Sequence, residues 1–475
     1  MSISIDRREF VKGAAGMAGI LAAGQAPSLY AAGANNKVRV ACVGYSDRFR
    51  QTLLPCFLAA KEEPRLANFD IVAVADLWKK RLYGPAKSGL EKALGHSVET
   101  FESDLKLYEA KEKLDLDAVI ISTADFQHAQ HAVRAVNAGL DSYCEKPLAE
   151  DMYSANMLLD AVNAKRASGA MKPGSVLQVG SQRRSGPTYK AARDYIRSGA
   201  FGDISYVHLT WNVNQPRRWR RDEKLVSSLK REDIDWNEWL LDRDPAVNEF
   251  SARKYLEFRL FWPFSSGIPG QWMCHQIDTV AWFMGYPWPK SAVSSGGLYQ
   301  WADGRQSYDT FTTVMEYGES GVKGKGFQVM FQSHQTNCAG GSWPYGESPV
   351  EKYYGPNGCI DLGTGQVTNE GVEIMKTNPP SKPKKEKLPA PHEKVVTSAN
   401  TGGDNLTKAH MLNWMDCVLE RKDPNAPVEA GYSHAVALVM SNAALRTGLK
   451  ATFDEKTRQV LAGGTPWTGY KQVII

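Results

Sequence analysis

Two residues have side chains suited to moving a proton off a hydroxyl. Lys146 lies in Glu145-Lys146-Pro147, directly after residues 141–144, read as a strand, and His275 opens His275-Gln276-Ile277-Asp278. An imidazole with an ordinary pKa near ~6.5 can take a proton around neutral pH. A lysine held by a proline turn at the carboxyl edge of a sheet can lower the pKa of a hydroxyl by its charge. Gln271, four residues before His275, can bond a hydroxyl but cannot accept a proton. Asp278, three residues after it, could orient the imidazole or simply pack.

The elements around these residues alternate. Residues 37–43 (KVRVACV) read as a buried strand ending at Gly44, and residues 69–75 (FDIVAVA) as a second, ended by Asp76. Residues 116–122 (LDAVIIS) predict a third strand, residues 129–138 a helix stopped by Gly139, and residues 141–144 a fourth strand leading into Glu145. Near-continuous apolar strands alternating with helices require a parallel sheet covered on both faces. Beyond residue 150 the pattern changes. Helices are predicted at 154–164 and 189–196 with a strand at 176–179 between them, followed by alternating segments at 204–211, 311–317 and 326–332. These imply a large, mostly antiparallel sheet. Two late helices carry Met411, Trp414, Met415 and Val418, and Val436, Val439 and Ala443. The proline–lysine stretch 377–394 reads as an exposed loop, and no internal repeat is present. The expected organisation is a leader over 1–34, a doubly wound domain over 35–150, a second α/β domain with an open sheet over 151–455, and a tail over 456–475.

A strand ending in Gly44 before a turn and a helix is where a Rossmann domain places pyrophosphate on backbone N–H groups. The glycine pattern is degenerate, because the second and third glycine places hold Ser46 and Phe49. Ser46 leaves room for close approach of a phosphate; Phe49 does not imitate a small residue. Asp76 is placed to bond the ribose hydroxyls and favours NAD by repelling a 2′-phosphate, while Lys79, Lys80 and Arg81 leave NADP open.

Composition excludes several classes. Of 475 residues, 43% are hydrophobic and 23% charged, so the chain should bury a proper core. The net charge of +5 comes from 57 basic against 52 acidic residues, too even to make nucleic acid or a membrane the main partner. The seven cysteines are scattered singly, Cys338 among them, which argues against a disulfide framework and a zinc module, and no metal site is expected. Arg7-Arg8, with Phe10 and Lys12 following, precedes a weakly apolar run over 13–23, too short to span a bilayer, and Ala32 and Ala34 offer a cleavage site. This leader resembles a twin-arginine export signal, which implies a periplasmic protein, exported folded with its cofactor inside.

From Glu145-Lys146-Pro147 onward the chain resembles the glucose–fructose oxidoreductase, inositol dehydrogenase and rhizopine-catabolism family (Gfo/Idh/MocA). Residues 117–123 (DAVIIST) with His128, residues 139–147 (GLDSYCEKP), residues 178–184 (QVGSQRR), residues 275–278 (HQID) and residues 424–448 fit the same family. The resemblance implies an NAD(P) domain holding its cofactor through Gly44, Ser46, Asp76, Ser122, Thr123, His128, Glu145 and Lys146. It also implies a C-terminal domain whose sheet lines the substrate site and builds a homodimer or tetramer. Within it, Glu145 bonds the nicotinamide ribose, Lys146 sits beside the substrate hydroxyl, His275 is the general base, and Arg183, Arg184 and Gln271 meet the substrate. The family's acid at the position of Gln271 is missing here. The aromatic and arginine-rich insert 211–239, with Arg217-Arg218-Trp219-Arg220-Arg221, could border the site, since aromatic faces stack on sugars and arginines bind carboxylates or hydroxyls.

Three functions compete: a periplasmic NAD(P)-dependent oxidoreductase acting on a sugar, polyol or glycoside hydroxyl with a tightly bound cofactor; a redox-assisted glycoside hydrolase or lyase; and a non-catalytic carbohydrate-binding protein on a decayed frame.

Overall fold

The computed structural model describes residues 37–168, 176–213, 217–335, 350–369, 384–387 and 404–469. The expected leader over 1–34 and Cys338 lie outside the described residues.

Six strands form the first sheet: β1 (Val38–Val43), β2 (Phe69–Ala75), β3 (Glu99–Phe101), β4 (Ala118–Ile121), β5 (Asp141–Cys144) and β6 (Leu177–Val179). Their order is β3-β2-β1-β4-β5-β6, and all pairings are parallel. β2, β4 and β5 are buried at every position, because helices cover both faces. The order reverses between β1 and β4, so the crevice that binds ligands in such sheets lies at the carboxyl ends of those two strands. Gly44 and Ser122 follow directly there. β6 lies beyond the expected boundary at residue 150 and completes the sheet at its edge. β3 was not anticipated; three residues are too few to show a period.

The second sheet has eleven strands: β7 (Tyr206–Thr210), β8 (Ser291–Gly297), β9 (Thr310–Gly318), β10 (Gly326–His334), β11 (Val350–Gly355), β12 (Gly358–Asp361), β13 (Gln366–Asn369), β14 (Lys384–Lys387), β15 (Ala451–Asp454), β16 (Gln459–Ala462) and β17 (Thr465–Pro466). Every neighbouring pair is antiparallel except β7 with β10. β9 alternates buried and half-buried positions, as a sheet with one better-packed face does. Two expectations need correction. Within the stretch read as a loop, Lys384–Lys387 is an edge strand on β13; the rest of 377–394 lies outside the described residues. The segment expected as a tail from 456 supplies β16 and β17, which extend the sheet through β15.

The helix Val428–Thr447 joins the two halves. Sixteen of its twenty residues are buried, so it has no polar face, and it packs on β8, β16 and the helices Met152–Ala167 and Cys274–Met284. One hydrophobic core runs through both sheets. A satellite cluster forms where Trp236, Trp239, Tyr255 and Phe264 pack on Trp78 and Phe126 of the first domain. Trp236 and Trp239 stack at 4.5 Å between ring centroids. None of the six described cysteines is in a disulfide. No described helix is long and apolar enough to cross a membrane, and no group of three described His, Cys, Asp or Glu residues is placed to hold a metal.

Candidate active site

A cavity of about 860 Å³ opens at the carboxyl ends of β1 and β4. Gly44, Ser46, Asp76, Ser122, Thr123, His128, Glu145, Lys146, Arg183, Gln271 and His275 line it; Arg184 does not.

The nucleotide half begins at Gly44. Its φ is +87°, and a Cβ there would sit 2.8 Å from the Ser122 carbonyl oxygen and 2.9 Å from Thr123 Cγ2. Only glycine can therefore make this turn. Ser46 Oγ accepts from the Phe49 N–H at 3.2 Å, capping the helix that follows, and meets Ser122 Oγ at 2.7 Å. Phe49, fully buried, is accommodated in a π-wound first turn, Phe49–Leu53. Thr123 Oγ1 and Trp78 Nε1 are buried without hydrogen-bond partners on this cavity wall. The glycine cradle and these orphaned polar atoms suit a dinucleotide.

Asp76 lines the cavity with both carboxylate oxygens bonded inside the protein. Its Oδ2 accepts from the Tyr45 N–H and Arg81 Nε, and its Oδ1 from the Trp78 N–H and Arg81 Nη2, each at 2.9 Å. A carboxylate offers about four lone-pair sites, and here all are taken inside the protein. Asp76 thus holds Arg81 in place on the cavity wall. Arg81 reaches Tyr255 Oη at 2.7 Å and lies over the Trp78 and Tyr255 rings.

The chemical half is built on the turn after β5. His128, kept neutral by burial, donates from Nδ1 to the Pro147 carbonyl at 2.8 Å and so fixes that turn. Burial would raise the Glu145 carboxyl, but Arg48 (Nε to Oε1, 2.9 Å) and the neighbouring Lys146 bring it below the ordinary range. Lys146 Nζ donates to the Gln271 carbonyl at 2.8 Å, which brings the turn against the helix bearing His275. Burial lowers the Lys146 pKa. His275 stacks on Trp211 at 5.6 Å. Burial, then the charges of Lys146, Arg183 and Arg48, hold its pKa well below the ordinary value. It is a free base at neutral pH, the form that accepts a proton.

Gln271 has an acid behind it. Its Nε2 donates to Asp125 Oδ2 at 2.6 Å, and fully buried Asp125 also accepts from Ser265 Oγ (2.7 Å) and Arg259 Nη2 (3.2 Å). Asp125, in the loop after β4, thus stands behind the Gln271 side chain. Arg183 pairs with buried Glu351 and lies 5.3 Å over Trp211.

Arg184, expected at the substrate, belongs to the core. Its guanidinium grips Asp278 through three hydrogen bonds of 2.9–3.1 Å. Asp278 in turn faces His434 and not His275. Adjacent arginines on a short 3₁₀ turn (Gln182–Ser185) point to different sides, so their shared sequence context could not distinguish them. Sequence reasoning also missed Arg48, Asp125 and Arg259; none sits in a motif that announces its partner. The insert divides: Trp211, Arg218 and Trp219 line the cavity, whereas Trp236 packs in the satellite core.

Residues 38–170 match a family model described as oxidoreductase family, NAD-binding Rossmann fold (Gfo/Idh/MocA). Inositol 2-dehydrogenase 4 of Saccharopolyspora erythraea is 30% identical over 211 residues, covering 44% of this chain and 56% of that protein. The inositol 2-dehydrogenase/D-chiro-inositol 3-dehydrogenase of Lactiplantibacillus plantarum is 26% identical over 191 residues, covering 40% and 50%. The chain spans about half the length of the curated relatives it matches. A solved levoglucosan dehydrogenase, in complex with NADH and levoglucosan, superposes with a TM-score of 0.59 over 88% of this chain and 99% of that one, at 15% identity, a likeness of fold. Residues 38–170 thus match the NAD-binding Rossmann model of the Gfo/Idh/MocA oxidoreductase family, and with the C-terminal mixed sheet they form a fold shared with solved dehydrogenases.

Proposed function

We propose that the protein is an NAD(P)-dependent oxidoreductase acting on a hydroxyl of a sugar or polyol. The observation that carries this reading is that one cavity gathers the Gly44 cradle, Glu145, Lys146 and a neutral His275. The inositol and levoglucosan dehydrogenases it resembles support the substrate class. A nicotinamide nucleotide held by the Gly44 turn, Thr123 and Glu145 would supply hydride transfer. The protein's own groups do the rest. Lys146, fixed by the Gln271 carbonyl, stabilises negative charge growing on the substrate oxygen. His275 takes the hydroxyl proton on its free ring nitrogen. Asp125 fixes the Gln271 side-chain amide, while the main-chain carbonyl of the same residue holds Lys146.

Either NAD or NADP fits this reading. The Asp76–Arg81 pair is neutral overall, so the repulsion that would exclude a 2′-phosphate is cancelled at its source. Export through the twin-arginine route, retention of a tightly bound cofactor and assembly into a homodimer or tetramer are further parts of the proposal, supported by the Arg7-Arg8 leader and by family resemblance. The test is to incubate the protein with NAD or NADP and a panel of inositols, anhydrosugars and hexoses, following reduced nicotinamide. Reduction that is lost in Lys146→Ala and in His275→Ala is expected. Nucleotide reduction that survives both substitutions would overturn the assignment.

A further inference from the structure

The wall beside Lys146 and His275 is built of arginine and tryptophan. Arg218 lies 5.5 Å over Trp272 and 5.8 Å over Trp219, Trp219 and Trp272 are 5.7 Å apart, and Trp272 is in turn stacked on Trp211 at 6.3 Å. Arg259 reaches the same wall through Asp125, and its Nε is buried without a partner. Trp211 Nε1 is likewise a buried donor with no partner on the cavity wall.

The backbone carrying Arg218 is held in an unusual shape. Arg217 and Trp219 have φ of +59° and +67°, left-handed values that bulky side chains rarely adopt. The shape is enforced from outside: Arg305 Nη2 donates to the Arg218 carbonyl at 3.2 Å, the Arg220 N–H closes a turn on the Arg217 carbonyl at 2.8 Å, and Glu257 takes the Arg221 N–H at 2.7 Å. Two strained residues flank the one arginine that this turn presents to the aromatic wall.

The cavity is also cationic. Ten arginine and lysine side chains line it against six carboxylates, and with Glu351, Asp125 and Asp233, which pair with Arg183, Arg259 and Lys80 from behind the lining, the excess is one. Burial, with Arg259 and Arg221 close by, lowers the Arg218 pKa to about 10, so it remains charged at neutral pH and gains from an anion placed beside it.

We propose that the substrate is an acidic sugar, its carboxylate held by Arg218 and Arg259 and its ring laid on the Trp219–Trp272 face. A guanidinium matches a planar carboxylate through paired hydrogen bonds, and an indole face accepts the C–H surface of a pyranose. This rests on reading the cavity as a sugar-oxidoreductase site and adds the substrate's charge to it.

The test uses matched pairs differing only at C6, glucuronate with glucose and galacturonate with galactose, titrated against the NADH-loaded protein by tryptophan fluorescence. At least one uronate is expected to bind ~10-fold or more tightly than its neutral partner. Arg218→Gln and, separately, Arg259→Gln should each reduce that preference, in proteins whose melting temperature shows them folded. Equal affinity within both pairs, no binding of any of the four, or a preference that survives both substitutions overturns the proposal. The two readings fail separately. Uronate binding that needs Arg218 but is accompanied by no nucleotide reduction keeps the subsite and rejects the oxidoreductase, whereas reduction by neutral polyols alone does the reverse.

Discussion

Lys146→Met separates the two roles given to that lysine. The substitution keeps the aliphatic stem and removes the charge and the donors. Lys146 Nζ is anchored on the Gln271 carbonyl at 2.8 Å beside buried Glu145, so its field acts in a site that water screens poorly. Removing one such preorganised group at a developing oxyanion costs ~10²–10³ in rate, about 2.7–4 kcal/mol. A second consequence is independent of the first. Burial depresses the His275 pKa most, and Lys146 is the largest charge adding to that depression. The base works only when neutral, so the acid limb of kcat/KM in the wild type should lie below the ordinary imidazole value of ~6.5. Without the lysine charge the His275 pKa rises, and the limb should move to higher pH. The assay is nicotinamide absorbance across pH with the best polyol or sugar found. Loss of rate with an unmoved limb would refute the claim that Lys146 faces His275. A rate within threefold of wild type would refute its place at the reacting hydroxyl.

Other expectations follow from the same geometry. Arg184→Met leaves buried Asp278 without its main partner and should cost ~3–5 kcal/mol in chemical denaturation, with nucleotide affinity unchanged because Arg184 is outside the cavity. His410 is fully buried with its pKa lowered from 6.5 to about 4, so the unfolded chain binds its proton first. Stability should therefore fall as pH drops from ~6.5 towards ~4, by ~3 kcal/mol in all, and His410→Gln should flatten that part of the stability curve measured by calorimetry. Arg81→Ala exposes the Asp76 carboxylate to the cavity and should weaken NADPH relative to NADH by ~10-fold, the scale of one partly screened charge pair; an unchanged ratio in fluorescence titration would show that Arg81 is remote from the 2′ position.

Much of the frame was legible because local physics fixes it. β2 coincides with its apolar run at 69–75, and the turn after β5 carries Lys146 to the sheet edge where such folds bind ligands. His275 was readable from its motif, and the structure brings it to the same cavity. What was not legible depends on pairing across the fold. Asp76 is an acid at the end of β2 in either case; only the bend of residues 77–81 decides that it bonds Arg81 instead of facing outward. Arg183 and Arg184 are neighbours of one type, and the sequence holds no sign that one stacks in the cavity while the other binds Asp278. Asp125 stands 146 residues from Gln271, so the carboxylate behind that amide was invisible until the fold joined them. β14 was hidden by its lysines, which suit an exposed edge strand as well as a loop.

The central claim is that the Gly44 turn cradles a dinucleotide despite serine and phenylalanine at the two later glycine places. Equilibrium titration of the protein with NADH and NADPH, read by nicotinamide fluorescence beside a Gly44→Ala variant, tests it most directly. One nucleotide per chain should bind the wild type. The variant, whose methyl group would lie 2.8 Å from the Ser122 carbonyl oxygen at a left-handed φ, should lose that binding. A wild type that binds neither nucleotide, or a folded Gly44→Ala that binds as well, would contradict the account.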